Sequence, residues 1–120
     1  MAKKILVVDD EPDVLKVVSM RLEKTGYEVL RARDGREALD LARQMSPDLA
    51  ILDVYLPDIN GDDLARIFKK DNTLKQIPII LISATVKTVA ERAQGCGAEG
   101  HITKPFEPED LIRIARDILK

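Results

Sequence analysis

Residues 3–13 read KKILVVDDEPD: four apolar residues, Ile5 to Val8, stop abruptly at Asp9, Asp10, Glu11 and Asp13. Consecutive aliphatics bounded by charge predict a short buried strand. Like charges gathered at the end of such a strand repel one another and need a cation or a helix terminus to offset them. Pro12 suits an initial helical turn, and Val14, Leu15, Val18 and Leu22 recur on one face until Gly26 stops the helix. The stretch therefore reads as strand, acidic turn and helix, a βα unit.

The unit recurs. Tyr27 to Ala32 alternates as a half-exposed edge strand would, and Asp34-Gly35 opens a second helix on Ala38, Leu41, Ala42 and Met45 that ends before Pro47. Leu49 to Leu52 is apolar throughout, as a central strand should be, and it too runs into an aspartate, Asp53. A third helix from Gly61 to about Asp71 rests on Leu64, Ile67 and Phe68. Ile77 to Ile82 reads as a fourth strand, with Pro78 acceptable only near its start. Val86, Val89, Ala90 and Ala93 give a helix over 86–94 only a thin apolar face. His101 to Thr103 is a short fifth strand, and Pro108 to Leu119 closes the chain with Leu111, Ile114, Ala115 and Ile118 inward. Strict alternation predicts an α/β fold, a single doubly wound sheet of five parallel strands with five helices, in one domain over residues 1–120.

Composition narrows the function. With 45% apolar and 33% charged residues in 120, the chain is that of a soluble globular protein, and its net charge of −2 gives no field favouring nucleic acid or a membrane. The short apolar runs and the direct entry from Met1-Ala2-Lys3-Lys4 into a strand predict a cytoplasmic location. A single cysteine, Cys96, and a single histidine, His101, exclude an ordinary zinc site, and Cys96 reads as a semi-buried residue near a helix end.

Ligands of doubly wound sheets lie beyond the carboxyl ends of the strands. That placement gathers Asp9 and Asp10, Asp53, Ser83 and Lys104 at one rim. Oxygen ligands favour a hard cation such as Mg²⁺, which would allow three carboxylates to crowd, whereas Glu11 and Asp13 are explained by solvent and the first helix's positive end. Asp53, central among these groups, is the candidate nucleophile for a phosphoryl group, with Lys104 and Ser83 available for its oxygens.

In LVVDDEP, LAILDVYLPDING, PIILISA and GHITKPFEPEDL, taken in order, the chain resembles a response-regulator receiver domain of two-component signalling. The resemblance covers essentially all 120 residues and implies a flavodoxin-like strand order of 2-1-3-4-5. It implies a phosphorylation-controlled switch, rather than a conventional enzyme, that assists its own phosphorylation and dephosphorylation. Asp53 would be the phosphoacceptor, Asp10 and Asp53 direct Mg²⁺ ligands, Asp9 a ligand through water and the Tyr55 backbone carbonyl a further ligand. Ser83 would be the switch hydroxyl and Lys104 the phosphate-binding cation, with Lys104-Pro105 a cis peptide that aims the lysine, and Pro57 and Gly61 shaping the turn after Asp53. The implied partners are a histidine kinase or phosphotransfer protein, docking on the first helix, and a downstream protein target. The latter is controlled through the fourth helix, fifth strand and fifth helix, in a monomer or a dimer formed on phosphorylation. No effector domain is expected after Lys120.

One position departs from the family. Where receivers usually carry Tyr or Phe as a rotamer switch in the fifth strand, this chain has His101, either the switch itself or a half-buried histidine without special function. Tyr55 and Thr85 stand at positions flanking the phosphoryl group, and the Tyr55 phenol is large enough to shield it from water. GCGAEG, residues 95–100, matches G-x-G-x-x-G but follows a helix and precedes a strand, the reverse of a dinucleotide site, so Gly95 or Gly97 reads as a helix cap. A haloacid-dehalogenase-type phosphatase would need an acid where Tyr55 stands, and a flavin carrier more aromatic residues. The remaining alternative is a receiver-like module that binds partners without taking phosphate.

Overall fold

The computed structural model describes residues 2–84 and 86–120, with the backbone alone for 86–88. Thr85, expected to flank the site, and the Val86 side chain, expected on the fourth helix's apolar face, lie outside the described residues. Strands and helices alternate as β1 (Lys4–Val8), α1 (Pro12–Thr25), β2 (Glu28–Ala32), α2 (Gly35–Met45), β3 (Leu49–Asp53), α3 (Gly61–Lys70), β4 (Ile79–Ser83), α4 (Val86–Cys96), β5 (Gly100–Thr103) and α5 (Pro108–Leu119). All neighbouring strands pair in parallel, in the order β2-β1-β3-β4-β5. Among the described residues no helix is long and apolar enough to cross a membrane.

Alternation along the strands divides the core in two. Leu6, Val8, Ala50, Leu52, Ile79 and Leu81 face α2, α3 and α4, where Ala38, Ala42, Leu64, Phe68, Val89 and Ala93 meet them. Ile5, Val7, Leu49, Ile51, Ile80 and Ile82 face α1 and α5, against Leu15, Val18, Leu22, Leu111 and Ala115. The central strands are thus apolar up to the polar residues at their ends because both of their faces are covered. Each fully buried Leu or Ile contributes roughly 1.5–3 kcal/mol relative to exposure.

The ends of the elements show why they begin and stop. Asp34 caps α2 by accepting the Glu37 N–H at 2.8 Å. Gly26 and Gly97, both at positive φ, close α1 and α4, and the Ala98 N–H bonds back to the Ala93 carbonyl at 2.9 Å. Of Gly95 and Gly97 in the false dinucleotide motif, Gly97 is therefore the cap, and Gly95 lies inside α4.

Several expected details differ. β4 begins after Pro78, at Ile79, whose N–H bonds to the Glu99 carboxylate at 2.8 Å, a bond proline cannot make. Ile67 is 38% exposed, because the buried stripe of α3 runs instead through Gly61, Leu64, Ala65 and Phe68. Ala90 is exposed, and the stripe of α4 is Val89, Ala93 and Cys96, at the spacing of one helical face. Cys96 is buried at the helix end, and burial pushes its thiol pKa up, away from reactivity.

Candidate functional site

Asp9 and Asp10 follow β1 directly, Asp53 ends β3, Ser83 ends β4 and Lys104 follows β5. Sheet pairing extends past the strand ends to hold these residues: the Lys104 N–H bonds to the Ser83 carbonyl at 2.8 Å, and the Val54 N–H to the Ile82 carbonyl at 2.8 Å. Asp9, Asp53 and Ser83 are buried, whereas Asp10 is exposed at the mouth.

Carboxylate oxygens of Asp9, Asp10 and Asp53 lie within 4.8 Å of one another, a donor set able to hold a metal ion. The Lys104 Nζ is 3.0 Å from Asp9 Oδ2 and 3.5 Å from Asp53 Oδ1. The first contact is a close ion pair. Burial, then repulsion from Asp9, raises the Asp53 pKa to about 6; the ammonium of Lys104 offsets part of this and Asp10 adds to it. Asp9 is raised chiefly by burial, against the N–H of Glu11 and the charge of Lys104. Burial alone would lower the Lys104 pKa, but its contacts with Glu11, Asp9 and Asp53 outweigh that and raise it. One ammonium does not neutralise three carboxylates, and an all-oxygen cluster with this residual repulsion suits a hard divalent cation.

Glu11 is the principal correction. Instead of serving only solvent and the helix end, its Oε1 accepts a hydrogen bond from the Lys104 Nζ at 2.6 Å, while its N–H donates to Asp9 Oδ1 at 2.9 Å. Its place beside the acidic pair was visible, but its 93-residue contact with Lys104 was not. Asp13 does sit in the first turn of α1.

The turn after β3 is tightly built. The Gly61 N–H bonds to the Val54 carbonyl at 2.7 Å, and a Cβ on Gly61 would stand 2.2 Å from the Asp53 carbonyl oxygen, so only glycine allows α3 this close. Pro57 is exposed in the same turn. Asp58, not singled out in the sequence, accepts the Gly35 and Arg36 N–H groups at 2.8 and 3.0 Å and ties the turn to the start of α2. Lys104-Pro105 is cis. His101 is exposed on β5 rather than half-buried, because β5 is an edge strand and His101 lies on the side of it that α5 leaves uncovered.

The doubly wound sheet and its metal-competent acidic rim define the class of α/β proteins to which two-component signalling domains belong. Residues 5–116 match the response regulator receiver domain, and the chain belongs to that family. Over 120 residues it is 36% identical to the polar-differentiation response regulator DivK of Brucella anthropi, covering 99% of this chain and 98% of that protein. It is 38% identical to a probable transcriptional regulator, ycf27, of Guillardia theta, spanning 98% of this chain but only 46% of that longer protein. Among solved structures, the chemotaxis response regulator CheY4 of Vibrio cholerae superposes with a TM-score of 0.92 at 32% identity, covering 99% of this chain and all of that one. A putative response regulator from Chloroflexus aurantiacus gives 0.93 at 34%, covering 99% and 98%.

Proposed function

We propose that this receiver domain is a phosphorylation-controlled switch in which Asp53 takes a phosphoryl group from a phosphohistidine on a histidine kinase or phosphotransfer protein, or from a small phosphodonor. The observation that carries the reading is the convergence of Asp9, Asp10 and Asp53 oxygens within 4.8 Å, with the Lys104 Nζ 3.5 Å from Asp53. An Asp53 oxygen attacks phosphorus, the phosphorus–nitrogen bond breaks, and its electron pair goes to the imidazole nitrogen, which takes a proton from solvent. The product is an acyl phosphate.

Such transfers need mainly positioning and charge neutralisation. Asp9, Asp10, Asp53 and the Tyr55 carbonyl would hold Mg²⁺, which when bound supplies positive charge against the phosphoryl oxygens. Lys104 provides a second cation, and the Ser83 hydroxyl a donor for a further oxygen. Pro57 and Gly61 fix the backbone that carries Asp53, and Pro105 follows Lys104 at the rim. His101 would then respond to movement of Ser83, altering the surface of α4, β5 and α5 for a protein target.

The docking site for the donor domain is the apolar groove of about 540 Å³ between α1 and the β5–α5 loop, lined by Val14, Val17, Val18, Ala84, Pro105 and Phe106. Lys104 is at its edge, and the exposed Val17 and Met20 extend the apolar face along α1. That proximity lets a donor histidine approach Asp53 while the rest of its domain covers α1.

Intact mass after incubation with acetyl phosphate tests the reading. A single phosphoryl adduct that needs both Mg²⁺ and Asp53, and is lost in Asp53→Asn, is expected. A folded, Mg²⁺-binding chain that takes no adduct overturns it.

A further inference from the structure

Arg92, on α4, makes two contacts that neither the sequence reading nor the proposed chemistry uses. Its Nη1 donates to Asp62 Oδ1 at 3.0 Å, and its guanidinium lies 5.5 Å from the centre of the Tyr55 ring. Both partners belong to the segment that carries Asp53. Tyr55 is two residues beyond it and bridges to Asn60, and Asp62 follows Gly61, whose backbone is packed against the Asp53 carbonyl. Asp62 is 7% exposed, so its charge anchors Arg92 firmly, whereas Tyr55 is 47% exposed and has no such burial to fix its ring. Arg66 reaches Asp62 Oδ2 more loosely, at 3.7 Å. The guanidinium is thus held by a carboxylate and lies over the aromatic ring, a pairing lysine reproduces poorly.

We propose that Arg92 is a positioning residue that couples α4 to the phosphoacceptor: anchored by Asp62, it holds the Tyr55 ring as a wall beside Asp53 and so sets how long a phosphoryl group there survives. The inference rests on Asp53 being the phosphoacceptor. It gives the output face a route back to the chemistry, because any displacement of α4 that frees Arg92 also frees the ring and admits water to the acyl phosphate.

The test is the rate of phosphoryl loss, read by intact mass after the phosphodonor is removed, in the native chain, Arg92→Ala, Arg92→Lys, Tyr55→Ala and the double variant Arg92→Ala with Tyr55→Ala. All are measured well below their melting temperatures. Arg92→Ala is expected to lose phosphate about threefold to tenfold faster, the change that follows from losing a contact of cation–π strength. Arg92→Lys should fall between, and Arg92→Ala should add nothing once Tyr55 is absent. A purely structural role would leave the rates unchanged or add equally in both backgrounds, and either result overturns the inference while leaving Asp53 as phosphoacceptor. No adduct on the native chain would instead overturn the proposed function, and the inference with it.

Discussion

The Lys104 ammonium is bound more closely by Glu11, at 2.6 Å, than by Asp53, at 3.5 Å. The residue proposed to meet an incoming phosphoryl group is therefore already engaged by an acid outside the metal-competent trio. Glu11→Gln weakens that competing pair while keeping the backbone N–H that bonds Asp9. Because the Glu11 side chain is 59% exposed, the effect is screened, and roughly twofold to fivefold faster uptake from acetyl phosphate is expected, with little change in stability. A time course by intact mass checks this, and slower uptake in the variant would show that Glu11 helps to place Lys104 rather than competing for it.

Asp53 makes stability depend on pH. Its folded pKa, about 6, lies above the ordinary carboxylate value of 3.8, so between these values the folded state binds more protons than the unfolded state. Stability from this group is therefore greatest at low pH and declines as pH rises through about 6. In metal-free buffer Asp53→Asn should be more stable than the native chain at pH 7.5, by on the order of 1–3 kcal/mol, and nearly equal to it at pH 4. Thermal melts with chelator at both pH values read the difference. A gain of equal size at both would mean that ionisation of Asp53 is not its source.

The two sides of this chemistry differ in how openly the sequence carries them. The strand–acid pattern of Ile5–Asp10 and Leu49–Asp53 announces both the sheet and its rim, because burial on two faces demands continuous apolar residues and parallel topology brings every strand end to one edge. Contacts such as Glu11 with Lys104 and Arg92 with Tyr55 have no local signature: they join side chains far apart in the chain whose meeting depends on how the elements pack. Ile67 and Ala90 fall in the same category, since the sequence carries the helical period but the rotation of each helix about its axis is fixed only by the neighbours.

Mg²⁺ should stabilise the native chain by relieving the repulsion among Asp9, Asp10 and Asp53. At a concentration one hundred times its dissociation constant, the gain is about 2.7 kcal/mol. The shift should shrink strongly in Asp10→Asn and Asp53→Asn, and also below pH 6, where protons compete for Asp53. Melting temperatures across a Mg²⁺ titration give the answer, and an undiminished shift in both variants would place the ion elsewhere.

Two glycines on neighbouring helices should respond oppositely to alanine. At Gly61 the added Cβ meets the Asp53 carbonyl oxygen at 2.2 Å and its carbon at 2.8 Å, backbone atoms that cannot rotate away. Gly61→Ala must push α3 off the turn, at a cost of roughly 2–4 kcal/mol, and should slow phosphate uptake because Asp53 moves with it. At Gly95, inside α4, the same methyl meets only the end of the Arg66 side chain, Nη2, at 3.4 Å. There the unfolded chain's lost freedom and the better helix propensity of alanine dominate, and Gly95→Ala should stabilise by about 0.5–1 kcal/mol. Urea unfolding of both variants separates the two mechanisms: crowding against fixed backbone in one, conformational entropy in the other. Destabilisation at Gly95 equal to that at Gly61 would mean that α4 packs against α3 too closely to accept even one methyl group.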